Sequence, residues 1–333
     1  MDPIALTRQL VELPSPTGAE GPVCSFMADL LERAGYAVER QPLDEGRFNV
    51  YAYRQPPVVV FSTHLDCVPP YVPFREDDEF LHGRGTCDAK GLAAAMVAAA
   101  ERLHAAGESR VGLLFVVGEE NGSDGARVAN ALAPKGRFLI NGEPTENRLA
   151  IGSKGSLRAD LTATGRAAHS AYPELGRSAI LPLLDTLERI RGMDLPRDPV
   201  LGETTVNIGL IRGGVAPNVI PPSAEAQLLF RTVAPTGPLK DAIAACLAPG
   251  VTLDFGIEMP PVRASAPGGW ETTVVSYASD LPFLASWGEG YQMGPGTILM
   301  AHTDEERIAK ADLLEGVERY VRLARDLVAR EAA

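Results

Sequence analysis

Residues 58–66, Val-Val-Val-Phe-Ser-Thr-His-Leu-Asp, constrain the fold more than any other stretch of the sequence. Four apolar residues in a row are typical of a buried strand, and two polar side chains, His64 and Asp66, follow them. Because residues two apart in an extended chain share a face, both side chains can point into the space beyond the strand's carboxyl end. An imidazole beside a carboxylate suits metal binding, although a structural pair at a strand end is the alternative on this motif alone.

Two further apolar segments end in the same way. Residues 111–117 lead into Glu119 and Glu120, and residues 138–140 lead into Glu143. Helices are predicted between these strands, including a long alanine-rich one from about residue 92 to residue 105. Buried strands that alternate with helices form an α/β sheet whose ligands bind at the strands' carboxyl ends, so the sequence predicts an active site at that edge.

The pattern changes after Gly155. Strands are predicted at 156–164, 204–210, 224–232 and 251–255, with helices at 178–190 and 238–247. The order β-α-β-β-α-β is that of a ferredoxin-like split unit. A chain of 333 residues also exceeds the usual size of one domain. We therefore predict a catalytic domain made of residues 1–154 and 263–333, interrupted by a small α+β domain at 155–262.

The charge balance limits the partners of the protein. The net charge is −12 and the pI is about 5.0, whereas nucleic acids and anionic membranes attract basic surfaces, so we expect neither as a partner. Residues 1–4 show no secretory pattern, and the longest apolar segment, around 91–100, is too short to span a bilayer. The four cysteines form no Cys-x-x-Cys pair, so we expect a reduced, cytoplasmic protein.

Seven polar residues stand where predicted strands and loops would deliver side chains to one edge of the sheet. They are His64, Asp66, Asp88, Glu119, Glu120, Glu143 and His302. Imidazoles and carboxylates are ligands of zinc and similar divalent ions, and several carboxylates in one cleft would repel each other without a cation. Two ions need two histidines, terminal carboxylates and a bridging carboxylate, which this sequence offers. The alternative for Glu119 and Glu120 is a solvated acidic turn.

The order and surroundings of these residues resemble the M20 family of di-zinc aminoacylases and peptidases. The matching segments are 63–69 (THLDCVP), 83–91 (GRGTCDAKG), 118–123 (GEENGS), 142–145 (GEPT), 165–170 (GRAAHS) and the segment around His302. The resemblance implies an α/β, di-zinc exopeptidase-like catalytic domain with a mixed sheet and helices on both faces. It also implies that the inserted ferredoxin-like α+β domain serves as a lid and dimerisation domain.

The resemblance further implies a role for each donor. The metal ligands would be His64 and Glu143 for one ion, Glu120 and His302 for the other, and Asp88 as the bridge between them, followed by a cis peptide bond. Asp66 would orient His64, and Glu119 would be the general base that takes a proton from the water between the metals. We expect two divalent ions, Zn²⁺ with Co²⁺ as the alternative. Cys67 and Cys87 adjoin residues of the proposed metal site and are interpreted as packing residues.

Three residues of the inserted domain also match positions of the family. His169 would reach into the active site of a partner subunit and stabilise the oxyanion, which implies a homodimer formed through the inserted domain. Asn218 and Arg231 would bind the substrate. The alternatives are a surface loop residue for His169 and a plain salt bridge for Arg231.

The substrate is predicted from residues 293–305 (MGPGTILMAHTDE), which are similar to the Gly-Pro-Gly-Ser/Thr-Ile-x-x-Ala-His segment of acetylornithine deacetylases. Residues 277–280 (YASD) depart from the Tyr-Gly-Thr-Glu turn of those enzymes. We predict deacylation of a small N-acyl amino acid, with N2-acetylornithine as the expected substrate, in arginine biosynthesis. Alternatives within the family are acetylcitrulline deacetylase, succinyl-diaminopimelate desuccinylase, a carrier-protein-linked lysine or ornithine hydrolase, and a dipeptidase. A non-catalytic metal-binding scaffold is the alternative outside enzymes, and the intact donor set with Glu119 argues against it.

Overall fold

A computed structural model of the chain describes residues 1–44, 46–132 and 136–331. The chain forms two compact units. The first comprises Met1–Ile151, Arg263–Thr273 and Ser279–Ala333, and the second comprises Gly152–Val262 and Val274–Ala278. The predicted insertion at 155–262 overlaps the main segment of the second unit, to which the structure also assigns the short segment Val274–Ala278.

Helices and strands alternate through most of the chain. The helices are α1 (Pro3–Val11), α2 (Gly21–Arg33), α3 (Lys90–Ala105), α4 (Asp124–Leu132), α5 (Ile180–Arg191), α6 (Gly237–Ala245) and α7 (Lys310–Glu331), with 3-10 segments η1 (Glu119–Asn121), η2 (Pro173–Leu175) and η3 (Leu281–Trp287). The strands are β1 (Ala37–Asp44), β2 (Arg47–Tyr53), β3 (Val59–His64), β4 (Arg75–Glu76), β5 (Phe80–His82), β6 (Val111–Val116), β7 (Phe138–Asn141), β8 (Leu149–Ser153), β9 (Gly155–Thr164), β10 (Arg197–Asp198), β11 (Gly202–Glu203), β12 (Thr205–Gly213), β13 (Ser223–Thr232), β14 (Val251–Met259), β15 (Val262–Arg263), β16 (Thr272–Val275), β17 (Glu289–Gln292) and β18 (Arg307–Ala309). Among the described helices, none has both the length and the apolar character needed to cross a membrane.

A six-stranded mixed sheet forms the centre of the first unit, in the order β1-β2-β6-β3-β7-β17. Strands β6, β3, β7 and β17 run parallel, whereas β1 and β2 add an antiparallel edge. The register pairs His64 with Val116 and Ser62 with Asn141. The carboxyl ends of β3, β6 and β7 therefore lie side by side, which is the edge where the sequence analysis placed the polar residues.

Helical segments cover both faces of this sheet, as predicted. On one face the Phe61 ring packs against Tyr320 of α7, with ring centroids 5.5 Å apart. Tyr51 lies in the same cross-strand row as Ser62, so it points to the opposite face. There its ring packs nearly perpendicular to Trp287 of η3, with ring centroids 5.0 Å apart, and the Trp287 indole donates a hydrogen bond to the Ala129 carbonyl of α4. Strands buried on both faces explain the uninterrupted apolar segments of the sequence.

The second unit is built on a four-stranded antiparallel sheet in the order β12-β13-β9-β14. With α5 after β9 and α6 after β13, the chain order is the β-α-β-β-α-β of a split unit. Alternate residues of β13 from Ala224 to Phe230 are buried, while those between them face outward. One face of the sheet therefore carries its own core, shared with α5 and α6.

Candidate metal centre

Two groups of potential metal ligands lie at the carboxyl edge of the six-stranded sheet, within the first unit. One consists of His64, Asp88 and Glu143, and the other of Asp88, Glu120 and His302. In each group the ligand atoms lie within 4.8 Å of one another. Asp88 belongs to both groups, so a single carboxylate joins them. This is the arrangement that the sequence analysis assigned to a two-ion site.

His64 is the last residue of β3, and its ring is fixed from both sides. Its Nδ1 lies 3.0 Å from the backbone oxygen of Asp66 and 3.4 Å from Asp66 Oδ1, while Nε2 lies 3.1 Å from Asp88 Oδ1. Burial lowers the pKa of His64, but hydrogen bonds to Asp66 and Asp88 outweigh burial and hold the pKa well above its usual range. The ring is thus oriented with Nδ1 toward Asp66 and Nε2 toward the shared carboxylate of Asp88.

Asp66 is fully buried and connects β3 to the turn that follows β6. Its Oδ1 and Oδ2 accept hydrogen bonds from the backbone N–H groups of Glu119 and Glu120, each at 3.1 Å, and Thr17 donates to Oδ2 at 2.7 Å. Burial raises the pKa of Asp66, but its bonds to His64, Thr17 and Glu120 outweigh burial and lower it. An ionised Asp66 thus holds both the His64 ring and the two glutamates in place.

Asp88 precedes α3, and the peptide bond that links it to Ala89 is cis, as the family resemblance implies. Its Oδ2 lies 3.2 Å from His302 Nε2, and its Oδ1 faces His64. Burial raises the pKa of this carboxyl, but the two imidazoles lower it more strongly, so Asp88 is an anion. One buried carboxylate between two histidines has the geometry of a bridging ligand.

His302 completes the second group from a loop before β18. Its Nε2 lies 3.0 Å from Glu120 Oε1, and its side chain is 50% exposed. The backbone φ of His302 is +63°, in the left-handed region that non-glycine residues rarely adopt. Hydrogen bonds to Asp88 and Glu120 raise the pKa of His302 to about 10. Without metal, this raised pKa favours the protonated imidazole. Its positive charge then lies where a bound metal ion would lie, between Asp88 and Glu120.

Glu119 and Glu143 have unusual acidities. Burial, reinforced by the charge of Glu143, holds the pKa of Glu119 well above its usual range, and burial does the same for Glu143. Burial also raises the pKa of Glu120. Converging carboxyls resist ionisation because their charges repel, and a divalent cation removes that penalty. The nitrogen and oxygen donors and the deficit of positive charge fit two ions of the zinc type.

The remaining predicted residues lie in the second unit. His169 and Asn218 are exposed and sit in two paired loops, where His169 bridges to Val219 and Ser170 N–H donates to the Asn218 carbonyl at 3.0 Å. Arg231 lies on β13, opposite Thr205 of β12. The structure thus brings His169 and Asn218 together within the second unit, and the roles of all three residues stay predictions.

Sequence reasoning missed three residues that act on the centre. Thr17 anchors Asp66, and no local pattern marks it. Asp280 is buried, which raises its pKa to about 7, and its charge raises the pKa of Glu119. It lies in the YASD turn, which departs from the family's turn and gives no signal of a buried acid. Glu306 accepts a hydrogen bond from the backbone N–H of Asp88 at 3.1 Å. It stands four residues beyond His302 and just outside the 293–305 segment, and no local pattern marks its contact with Asp88.

Comparisons with known proteins agree with this geometry. The sequence profile described as Peptidase family M20/M25/M40 matches residues 60–326. A probable carboxypeptidase of Aspergillus clavatus is 38% identical over an alignment of 363 positions, gaps included. The alignment covers 95% of this chain and 86% of that protein.

Two solved structures share the fold. A metallo-carboxypeptidase of the M20 family from Sulfolobus solfataricus has a TM-score of 0.78 and 17% identity, with 98% of this chain and 99% of that chain covered. A structure from Bacillus subtilis, described as a dinuclear metal binding peptidase from the M20 family, has a TM-score of 0.70 and 16% identity, with 99% and 98% covered. Because the family profile spans most of the sequence, the chain belongs to Peptidase family M20/M25/M40, a family of metal-dependent hydrolases.

Proposed function

We propose that the enzyme hydrolyses the amide bond of a small N-acyl amino acid with the help of two divalent metal ions. The observation that carries this proposal is the pair of donor groups that share Asp88, with Glu119 beside them. The donors suit Zn²⁺, and Co²⁺ is the alternative. His64 and Glu143 would complete one coordination sphere; Glu120 and His302 would complete the other.

The residues of the chain have separate tasks in this reaction. Bound ions supply Lewis-acid polarisation of the scissile carbonyl and make water nucleophilic at neutral pH. Glu119 takes a proton from the attacking water and holds it until the C–N bond breaks. Glu119 then gives the proton to the departing amine, so the products are a free acid and a free amine. Asp66 keeps the His64 ring in one orientation throughout.

The acyl group of the substrate distinguishes two candidates. The names of the Aspergillus and Sulfolobus relatives favour a peptide that loses its carboxyl-terminal residue. The 293–305 segment favours N2-acetylornithine, and that assignment, with its place in arginine biosynthesis, stays a prediction from the sequence. Both substrates are amides of an α-amino acid with a free carboxylate. We propose Asn218 and Arg231 as the groups that recognise this shared part.

We also propose that the second unit forms a homodimer and that its His169 donates to the oxyanion in the partner's site. Two features support a dimer. Strand β12 lies at the edge of its sheet and is exposed from Gly209 to Gly213, including Leu210 and Ile211. Helix α5 presents Leu181 and Leu184 to solvent, 63% and 46% exposed. An uncovered strand edge beside an apolar helix face is a surface that a second copy can extend.

A hydrolysis screen tests the proposed function. The metal-loaded protein would be assayed with peptides and with acetyl- and succinyl-amino acids, and free amine would be measured. We expect turnover in one of these classes, and Glu119→Gln should reduce that turnover by about 10²–10⁴-fold with its metals retained. The matched control is Glu305→Gln, an exposed glutamate of the His302 segment. Equal turnover in Glu119→Gln and in the control would refute the assignment of the base.

A further inference from the structure

A buried carboxylate, Glu306, holds the loop that carries Asp88. Its side chain is fully buried, and its Oε1 accepts three backbone hydrogen bonds, from Gly85 at 2.9 Å, Cys87 at 3.2 Å and Asp88 at 3.1 Å. We refer to residues 83–88 as the Asp88 loop. Three N–H groups that converge on one oxygen fix the path of this loop directly before the shared carboxylate.

Arg84 joins the same carboxylate to the loop of His302. Its Nη1 donates to Glu306 Oε2 at 2.6 Å and to the carbonyl oxygen of Thr303 at 3.1 Å, and its Nε donates to the Pro70 carbonyl at 3.2 Å. The Arg84 side chain is 3% exposed. We refer to Arg84 and Glu306 as the loop clamp. Because Thr303 follows His302 directly, the clamp fastens the backbone beside two donors of the same group.

The location of the clamp argues for a role beyond stability. A buried ion pair is on average no more stabilising than an apolar pair of similar size, so its presence calls for another reason. Here the pair secures the two loops at the point where their side chains meet, with His302 Nε2 3.2 Å from Asp88 Oδ2. Neither clamp residue belongs to the donor groups themselves.

We infer that the loop clamp positions Asp88 and His302 for the second ion, the one held with Glu120. Arg84 and Glu306 are positioning residues, and this inference rests on the proposed two-ion function. The clamp touches the loops of two donors of the second group, Asp88 and His302, whereas it touches the loop of only one donor, Asp88, in the group with His64 and Glu143. Loss of the clamp should therefore weaken one ion more than the other.

The test is Glu306→Gln, with Glu20→Gln as the matched control. Glu20 is also fully buried and pairs with the partly buried Arg47 at 2.8 Å, and among the described residues its side-chain hydrogen bonds go to Arg47 and Gly18 and to no donor loop. Metal-free proteins would be titrated with Co²⁺, with binding followed by calorimetry and by the visible absorption of the bound ion. In Glu306→Gln only one of the two binding steps should lose about 10–100-fold in affinity and change its spectrum, as is usual for groups that orient ligands. Glu20→Gln should bind both ions like the wild type.

In Glu306→Gln the buried Arg84 loses its charged partner, and a second variant is needed for the case in which this unpaired charge prevents folding. Arg84→Gln/Glu306→Gln leaves no unpaired buried charge and keeps side chains of similar length, and it should show the same selective loss. Wild-type affinities for both ions in a folded variant would overturn the inference, and so would an equal loss at both steps. If the wild-type protein bound only one ion, the two-ion proposal itself would fail, which separates the two conclusions.

Discussion

At the scale of single residues, the proton on His302 makes a prediction about metal binding. Hydrogen bonds to Asp88 and Glu120 raise its pKa to about 10, so the metal-free imidazole is protonated at neutral pH. A metal binds only the neutral ring, so binding must release this proton, and affinity must rise with pH below the raised pKa. We expect Zn²⁺ affinity to increase by up to about tenfold per pH unit for each proton released between about pH 6 and pH 8.

Calorimetric titration in buffers of different ionisation enthalpy counts the released protons directly. The surface residue His104 provides a control, because His104→Ala removes an imidazole whose ring contacts Ser109 rather than a donor. Binding that released no proton and had the same affinity at both ends of this pH range would contradict the contacts of His302.

The donors themselves were predictable from the sequence because each follows a recognisable apolar strand or stands in a segment with a family likeness. Their partners were not. Glu306 reaches Asp88 across 218 positions of the chain, and Thr17 reaches Asp66 across 49. Such bonds depend on tertiary packing, which no local pattern encodes. The role of Asp280 could not be predicted from the sequence for the same reason, because an acidic residue in a turn is ordinarily solvated and only the fold buries this one.

At the scale of elements, the start of α3 is packed against the Asp88 loop, and Gly91 makes this possible. A Cβ atom added at Gly91 would lie 2.1 Å from the carbonyl oxygen of Thr86, which belongs to the backbone and cannot turn aside. We expect Gly91→Ala to destabilise the protein by about 1–3 kcal/mol, the usual range for overpacking. It should also weaken metal binding, because the displaced loop carries Asp88.

The control for this substitution is Gly192→Ala. Gly192 caps the C-terminus of α5 with a φ of −87°, and apart from its chain neighbours no atom would lie closer than 3.6 Å to a Cβ at that position. Its midpoint of thermal unfolding should stay close to that of the wild type or rise slightly, because alanine restricts the unfolded chain. An unchanged unfolding midpoint in Gly91→Ala would mean that the loop and the helix are not tightly packed.

Elements with strong apolar periodicity were predicted well, and short ones were not. Strands β3, β6 and β7 stand out because each is a buried apolar segment. Strand β17 has only four residues and begins Glu289-Gly290, so it carries no such pattern. The sheet order also required the structure, since pairing of β3 with both β6 and β7 depends on how the intervening helices cross the sheet.

At the scale of the whole molecule, the role proposed for His169 predicts that one subunit completes the active site of another. His169→Ala should lower kcat by about 10²–10³-fold, the usual loss for one oxyanion donor, without loss of metal. If the donor acts in trans, mixing this variant with Glu119→Gln should restore activity. Each mixed dimer would then contain one site with its own Glu119 and the partner's histidine. Activity would be measured after subunit exchange had been verified.

A chain that carries both substitutions is the matched control for this experiment. Mixed with the wild type, it should form dimers without a complete site if His169 acts in trans. If His169 acts within its own chain, the wild-type subunit would keep its activity in these dimers and the first mixture would recover none. That pair of results would contradict the shared site.

The most direct test of the two-ion centre is a titration of metal-free enzyme with Zn²⁺, in which bound metal and hydrolysis are measured on the same samples. The two donor groups joined by Asp88 predict that chelation abolishes hydrolysis and that two ions bind per chain. Full activity should return only as the second ion binds. Full activity in protein shown by elemental analysis to contain no metal would contradict the account.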